Sequence, residues 1–289
     1  MLGGMKTFVL ALSLVASLAA PSSFQTRITG HGRPMILIPG LSSGGETWDG
    51  TVEHFKDRFE CHVVTVGGFA GVPRVSATSP MLDRIVDDLA KYIRDRGLKK
   101  PVIVGHSLGG YLALKFAIAY PDLAGSIIDV DGYADYLTLT GAGSTPEQAK
   151  AISEGIKKNM SEMTRPAYEA YVTGGAATRF MVTRDADFQT LVKWGLASDP
   201  KAVGDALGEM YETDLRADLS KIQTPTLVLA AWKSYAQYTD HAHHMATLRN
   251  QFASLRGVRI ELNDTARHFI MWDDPLWMFS HMDRFLAGQ

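Results

Sequence analysis

The sequence predicts an α/β fold, in which a mostly parallel sheet carries helices on both faces and a helical insertion follows one of its strands. Apolar runs of strand length recur along the 289 residues, and amphipathic segments separate them. Such alternation is typical of strands that are buried on both faces of a parallel sheet. One stretch of about ninety residues has no strand pattern and is too long for an ordinary connection, which predicts the insertion.

The elements follow in order along the chain. The predicted strands are 35–38, 62–66, 101–104, 126–130, 226–230 and 258–262. Helices are predicted at 81–96, with Ile85 and Leu89 on one stripe, and at 110–120, where Pro121 stops the helix. Four further helices, at 146–163, 165–173, 185–197 and 200–210, form the insertion. We therefore predict a core of residues 21–131 and 222–289, with a cap, or lid, at 132–221.

The N-terminal residues 1–20 have the pattern of a secretory signal peptide. Lys6 precedes an apolar run at 8–16, and small residues follow, with cleavage expected near Ala19 or Ala20. A membrane anchor is the alternative, but the apolar run is shorter than the roughly 20 residues that span a bilayer. We therefore expect a secreted or periplasmic protein without stable membrane insertion. Cys61 is the lone cysteine, so an intramolecular disulfide is excluded.

The composition argues against several classes of partner. A hydrophobic content of 46% allows one large core, and a formal net charge of -2 supplies no strong field to attract nucleic acid or anionic lipid. A single cysteine also disfavours a thiolate metal site. The sequence does not determine the oligomeric state.

Ser107 is the candidate nucleophile. It lies in the segment Gly105-His106-Ser107-Leu108-Gly109, directly after a predicted strand and before a predicted helix. In such a tight turn a side chain two residues before or after the serine would clash, so glycines are required there. The turn exposes the hydroxyl at the carboxyl edge of the sheet and at a helix N-terminus, which favours developing negative charge. The alternative is a structural turn with an incidental serine.

Three segments resemble the α/β-hydrolase family: VGHSLGG at 104–110, ILIPGLSSGGETW at 36–48 and ARHFIMWDDP at 266–275. The resemblance covers nearly all of the chain after the leader. It implies an eight-stranded, mostly parallel sheet, a chain order of nucleophile, acid and histidine, and often a helical cap. A serine at the turn suggests esterases, lipases, lactonases and peptidases.

Nine histidines compete to be the base that Ser107 needs. His268 is the candidate, because it follows the final strand and precedes a helix near Pro275, where the family carries its catalytic histidine. A buried structural histidine is the alternative. His106 should point into the scaffold. A metal site built on the cluster His241, His243 and His244 is disfavoured relative to a solvated helix.

The resemblance also implies an oxyanion hole and a pocket. The two donors would be the backbone N–H groups of Leu41 and Leu108. Loop residues 42–45 and 67–71 are candidate walls of the pocket. Tyr136 belongs to the apolar residues of the lid, most of which we expect in the lid's own core. The candidate pocket residues are Ser42, Phe69, Tyr133, Trp232 and Tyr235.

The acid of the triad is missing from its commonest position in the family, the loop after the strand that follows the cap. The family has a Gly-x-x-Asp pattern in that loop, and Ser234 occupies the position of its aspartate in this chain. A serine would not balance the charge of an imidazolium. Asp131, at the end of the strand before the cap, is the candidate instead. Asp240 is the alternative through a longer loop. Asp129, Asp264 or no acid at all also stay open, although Asp129 should lie one layer deeper.

These residues predict a serine hydrolase that cleaves small-molecule carboxylic esters through an acyl-enzyme on Ser107. His268 would act as base with Asp131 in support. No cofactor or metal is required. The alternatives are a lactonase, amidase or aminopeptidase with the same triad, or a non-catalytic ligand-binding pseudohydrolase.

Overall fold

The computed structural model describes residues 22–75, 80–141, 143, 145–175 and 178–288. The predicted signal peptide and its cleavage site lie outside these residues. Within them, no helix is both long and apolar enough to cross a membrane.

The described residues form one seven-stranded sheet, in the order β1-β3-β2-β4-β5-β6-β7. The strands are β1 (Phe24–Gly30), β2 (Arg33–Ile38), β3 (Phe59–Val66), β4 (Val102–His106), β5 (Ser126–Val130), β6 (Thr226–Ala231) and β7 (Arg259–Asn263). All pairings are parallel except that of β1 with β3. The predicted fold class is confirmed, with seven strands described where the family resemblance implied eight.

Strand β1 was not predicted. Its sequence, FQTRITG, has a burial pattern in which most side chains are exposed or half-buried. It lies at the edge of the sheet, with Phe24 opposite Val66 and Gly30 opposite Glu60. An edge strand needs no continuous apolar run, so the pattern that identified the central strands is absent from it.

The helices pack on both faces of the sheet. They are α1 (Asp49–Phe55), α2 (Met81–Asp95), α3 (Leu108–Ala119), α4 (Tyr136–Leu139), α5 (Pro146–Glu162), α6 (Arg165–Gly174), α7 (Asp185–Ala197), α8 (Pro200–Glu212), α9 (His241–Gln251), α10 (Ile270–Asp273) and α11 (Pro275–Ala287). Side chains of β2 show the two faces: Ile36 and Ile38 belong to the core under α2 and α3, whereas Met35 and Leu37 belong to the core under α1 and α11. Burial on both faces explains the continuous apolar runs.

Between β5 and β6 the described residues form the helices α4 to α8, joined by loops and short 3-10 turns, and α5 to α8 match the four predicted helices. Helices α5 and α8 lie so close together that a Cβ added at Gly204 of α8 would be only 2.5 Å from Met160 Cβ of α5. Helix α8 also contacts the core, since the Glu209 carboxylate accepts hydrogen bonds of 2.8 Å from the backbone N–H groups of both Met81 and Leu82. These contacts tie the insertion to the N-terminus of α2.

Candidate active site

Ser107 occupies a strained turn between β4 and α3. Its φ of 54° and ψ of -116° are rarely adopted by a non-glycine residue. A Cβ added at Gly105 would lie 2.0 Å from the Gly109 carbonyl oxygen, and one at Gly109 would lie 2.1 Å from the Ile38 carbonyl oxygen. The two glycines are therefore required by close backbone approach, as the sequence pattern predicted. The Ser107 N–H donates to the Val130 carbonyl at 2.9 Å, which fixes the turn against β5.

His268 and Asp131 form a direct pair. The Nδ1 atom of His268 lies 2.5 Å from Oδ2 of Asp131, and the Asp131 side chain is fully buried. The other carboxylate oxygen of Asp131 accepts a 2.8 Å hydrogen bond from the Ala231 N–H. In the neutral imidazole tautomer whose Nδ1–H donates to this carboxylate, Nε2 carries no proton and can accept one.

The backbone at Asp131 directs this carboxylate. Asp131 directly follows β5 and has a φ of 54°, in the left-handed region. Its N–H donates to the Leu229 carbonyl at 2.7 Å, so the residue stays attached to β6 while its side chain turns towards His268. A non-glycine residue in this conformation is uncommon and often marks a functional position.

Ser234 contacts the same histidine through the backbone. Its hydroxyl accepts a 3.0 Å hydrogen bond from the His268 N–H and lies 3.4 Å from the Phe180 carbonyl oxygen, to which it donates. The residue that stands in the usual position of the acid therefore holds the histidine loop. It bonds the main chain of His268, whereas Asp131 bonds the ring.

His106 positions the histidine loop from the other side. It is buried, and its Nε2 lies 3.0 Å from the His268 carbonyl oxygen, to which it donates. The two imidazole rings have centroids 4.6 Å apart, which brings His268 next to the turn that carries Ser107. Burial lowers the pKa of His106 well below its usual value. His106 is thus a neutral residue whose ring holds the main chain at His268.

The other candidate acids are engaged elsewhere. Asp240 caps α9, where its carboxylate accepts from the His243 N–H at 2.8 Å. Asp264 pairs with His241 at 2.9 Å on the surface. Asp129 is fully buried and accepts a 2.8 Å hydrogen bond from the Gly132 N–H, and burial raises its pKa to about 8.

The loop after β2 runs directly past the nucleophile. A Cβ added at Gly40 would lie 3.3 Å from Ser107 Cβ. Leu41 follows it and packs partly buried against the core, while Leu108 is fully buried as the first residue of α3. Both candidate oxyanion donors therefore belong to segments that adjoin Ser107. Ser42, with a φ of 57°, continues the loop and its side chain neighbours Tyr168.

The other candidate pocket residues differ in their surroundings. Tyr133 and Tyr235 pack edge to face with ring centroids 6.0 Å apart, and Tyr133 packs in the same way on Tyr136 at 5.8 Å. Phe69 is fully buried in the core on the α2 and α3 side. Trp232 is half-buried, with its ring centroid 5.2 Å from that of His241.

Two features were missed from the sequence. The hydroxyl of Tyr136 lies next to Ser107, although Tyr136 was considered only as an apolar lid residue. The signal that could have identified it is its position shortly after the end of β5, at the edge of the sheet where Ser107 lies. The helix with His241 and His243 forms as expected, but the prediction that its histidines are solvated is wrong for His244, which is buried and stacked on Tyr235 at 4.5 Å.

In the part of the chain that the structure describes, no three His, Cys, Asp or Glu residues cluster in a way that could hold a metal ion.

Comparisons with known proteins identify the family. The model of the alpha/beta hydrolase family matches residues 35–281. The chain is 24% identical over 204 residues to a pimeloyl-[acyl-carrier protein] methyl ester esterase of Aeromonas hydrophila, covering 68% of this chain and 76% of the relative. It is 22% identical over 264 residues to an N-formylmaleamate deformylase of Pseudomonas putida, covering 90% and 91%.

Solved structures share the fold at low identity. An enol-lactonase from Burkholderia xenovorans LB400 superposes with a TM-score of 0.73 at 15% identity, covering 91% of this chain and 96% of that one. A thermophilic esterase from Thermogutta terrifontis superposes with a TM-score of 0.71 at 20% identity, covering 92% and 93%. With a family model that spans most of the chain and a matching fold, this protein belongs to the alpha/beta hydrolase family.

Proposed function

We propose that the protein is an exported serine hydrolase that cleaves carboxylic esters through an acyl-enzyme. The observation that carries the proposal is the 2.5 Å pair of His268 Nδ1 and Asp131 Oδ2 beside the strained turn of Ser107. Such a pair is the support that a serine nucleophile requires, because an alcohol is a poor nucleophile at neutral pH.

In the first half of the reaction, Ser107 Oγ attacks the acyl carbon while Nε2 of His268 accepts the hydroxyl proton. The buried carboxylate of Asp131 stabilises the imidazolium that forms. The N–H groups of Leu41 and Leu108 donate to the oxyanion of the tetrahedral intermediate. The intermediate then collapses, the bond to the alcohol oxygen breaks, and His268 returns the proton to the leaving alcohol.

In the second half, a water molecule attacks the acyl-enzyme and gives its proton to His268. As the second tetrahedral intermediate collapses, the bond to Ser107 Oγ breaks and His268 returns the proton to this oxygen, which releases the carboxylic acid and restores the Ser107 hydroxyl. The cycle is balanced by water alone, with no cofactor.

The names of the relatives support ester cleavage and also keep other acyl substrates as alternatives. Two of the proteins named above are esterases, one is a lactonase and one is a deformylase. The alternatives are therefore a lactonase, amidase or aminopeptidase that uses the same three residues. A non-catalytic ligand-binding protein of this fold is the alternative from outside enzymes.

A matched substrate panel tests the proposal. Since 4-nitrophenyl butanoate and N-(4-nitrophenyl)butanamide share the acyl group and the chromophore, their rates compare an ester with an amide directly. A δ-lactone completes the panel. We expect the ester to be turned over far faster than the amide or lactone, and Ser107→Ala to remove this turnover. Faster cleavage of the amide or lactone would replace the esterase assignment.

A serine-directed phosphonate separates catalysis from binding. We expect mass spectrometry to find one phosphonate on Ser107 in the wild type and none in Ser107→Ala. Labelling of Ser107 without turnover of any substrate would favour the non-catalytic alternative.

The export part of the proposal depends on residues 1–20. Expression of the full chain in a Gram-negative host, followed by intact-mass analysis of the periplasmic and cytoplasmic fractions, tests it. We expect a periplasmic species that begins near Pro21. A cytoplasmic species of full-length mass would contradict export.

A further inference from the structure

Two neighbouring tyrosines, one of which faces Ser107, have buried hydroxyls without partners. These residues, Tyr133 and Tyr136, are named here the tyrosine pair. Among the described residues, neither hydroxyl has a partner in hydrogen-bond geometry. The Tyr136 hydroxyl faces the Ser107 side chain, and the Tyr133 hydroxyl faces that of Tyr235, but neither contact meets the geometry of a hydrogen bond. A buried hydroxyl left unpaired costs about 1–3 kcal/mol, so two at one site require an explanation.

Other buried tyrosines of the chain are satisfied. The Tyr111 hydroxyl donates to the Thr213 carbonyl at 3.1 Å, although its ring centroid is only 6.2 Å from that of Tyr136. The Tyr168 hydroxyl donates to the Gly195 carbonyl at 3.0 Å. The unpaired hydroxyls are therefore specific to Tyr133 and Tyr136 and are not a general property of the buried tyrosines in this region.

The backbone of the tyrosine pair is held firmly. Tyr136 begins α4, and the Asp135 carboxylate caps this helix through the Leu137 N–H at 3.0 Å. Gln251 binds the backbone N–H and C=O of Asp135, both at 2.9 Å, and Arg216 pairs with the Asp135 carboxylate at 2.9 Å. The ring of Tyr136 is thus carried on a fixed segment, which is the preorganisation that a recognition site needs.

The hydroxyls of the pair act as donors towards a neutral group. Burial raises the pKa of both Tyr133 and Tyr136 well above the usual value, so the phenols keep their protons. Asp131 influences both Tyr133 and Tyr136, and Asp129, whose pKa burial raises to about 8, also influences Tyr136. Because these neighbours are carboxyl groups, a negatively charged acceptor would be repelled, and a neutral oxygen is the better partner.

We propose that Tyr133 and Tyr136 determine substrate specificity by donating hydrogen bonds to a neutral oxygen in the acyl part of the substrate. We assign these contacts to the acyl part of the ester because it becomes bonded to Ser107, whose side chain faces the Tyr136 hydroxyl. The preferred substrates are then esters whose acyl chain carries an ether or keto oxygen near the scissile carbonyl. This inference rests on the proposed acyl-enzyme reaction at Ser107.

Two esters of equal length test the inference. In 4-nitrophenyl 3-methoxypropanoate an ether oxygen replaces one methylene of 4-nitrophenyl pentanoate. Each kcat/KM is divided by the rate of alkaline hydrolysis of the same ester, which removes the inductive effect of the oxygen. We expect the wild type to prefer the methoxy ester by about 10- to 100-fold, since one or two buried hydrogen bonds are gained.

Phenylalanine variants locate the effect. Tyr136→Phe and Tyr133→Phe are each expected to lower this preference about tenfold, because each removes one donor and keeps the ring. Tyr111→Phe is the matched control: it removes the hydroxyl that is paired with Thr213 and should keep the wild-type preference. The readout is the ratio between the esters, which a general loss of activity does not change.

The outcomes are separable. A wild-type ratio near one, a ratio that survives both Tyr133→Phe and Tyr136→Phe, or an equal loss in Tyr111→Phe would overturn the inference. Turnover of both esters at equal normalised rates leaves ester hydrolysis intact. Absence of turnover of either ester, together with no phosphonate on Ser107, overturns the proposed function itself.

Discussion

The ends of β5 and β6 lie side by side and contact the same histidine in different ways. Asp131, after β5, places a buried carboxylate 2.5 Å from the His268 ring. Ser234, after β6, accepts a 3.0 Å hydrogen bond from the His268 backbone. Only the carboxylate can balance a charge on the imidazole, so the two strand ends divide the work: one supports the ring and the other holds the loop.

In the proposed triad the acid follows the strand before its usual position in the family, while the histidine keeps its place. Parallel strands end at the same edge of a sheet, so a side chain after either of two neighbouring strands can reach the same group. The Asp131 carboxylate also accepts from the Ala231 N–H at 2.8 Å, so the end of β6 holds the carboxylate that is proposed as the acid.

The largest effect is expected from His268→Ala, which removes the ring that Asp131 contacts and keeps the backbone N–H that Ser234 contacts. We predict that kcat falls by about 10⁵- to 10⁶-fold, because a nucleophile and its base act as one unit. Steady-state kinetics with a nitrophenyl ester measures the loss. If Ser107→Ala costs as much and the double variant costs no more, the two residues work together; additive losses would contradict this.

A second prediction concerns the pH dependence of stability that Asp129, in β5, confers. Asp129 has a pKa raised by burial to about 8, well above its value in an unfolded chain. The folded state therefore binds a proton that the unfolded state has lost between about pH 4 and pH 8, and stability must fall as pH rises through this window. Asp129→Asn removes this dependence.

Urea unfolding at pH 5 and pH 8 measures the effect. We expect the free energy of unfolding of the wild type to fall between these pH values more than that of Asp129→Asn. Parallel pH dependence in the two proteins would show that Asp129 is charged throughout.

Ser234→Ala tests the other strand end and should have a smaller effect on rate. The substitution leaves the His268 N–H without its acceptor, which costs about 1 kcal/mol and corresponds to a loss in kcat of about three- to tenfold. Ser234→Thr, which keeps the hydroxyl, is the control in the same assay. A loss of several thousandfold in Ser234→Ala would mean that the β6 end does more than hold the loop.

Asp240→Asn should have the smallest effect. Asp240 caps α9 through the His243 N–H, and asparagine is also a good N-cap, so we expect kcat to stay within about twofold of the wild type and stability to change by less than about 0.5 kcal/mol. Asp240→Ala should lower stability by about 1 kcal/mol, measured by thermal unfolding, with kcat again preserved. A large fall in kcat for Asp240→Asn would return the acid to the segment after β6.

The central part of the fold could be predicted because burial on both faces leaves a continuous apolar pattern. Strands β2 to β6 are mostly buried and have this pattern, and their predicted bounds differ from the observed ones by a few residues. Strand β7, at the other edge of the sheet, was predicted within one residue at each end although most of its side chains are exposed or half-buried. Strand β1 could not be identified, because only one of its residues is buried. The short helix α4 was also missed, since its four residues cannot show a helical period.

The site was predictable where local geometry dictates residue type. Glycine is required at 105 and 109, because a Cβ at either position would lie about 2 Å from a backbone oxygen, and this requirement is visible in the sequence. The role of Ser234 was not predictable, because a hydroxyl gives no sign of whether it bonds a ring or a backbone group. The position of the Tyr136 hydroxyl beside Ser107 depends on how Asp135 and Gln251 fix α4, a contact across more than a hundred residues that no local pattern encodes.

The most direct test of the account is the value of kcat for Asp131→Asn, measured beside Asp240→Asn with the same ester. Asparagine keeps the shape of the side chain but cannot balance the imidazolium and favours the wrong tautomer of His268. We predict a fall of about 10³- to 10⁴-fold for Asp131→Asn and almost none for Asp240→Asn. Near-normal activity of Asp131→Asn would contradict the assignment of the acid to the end of β5.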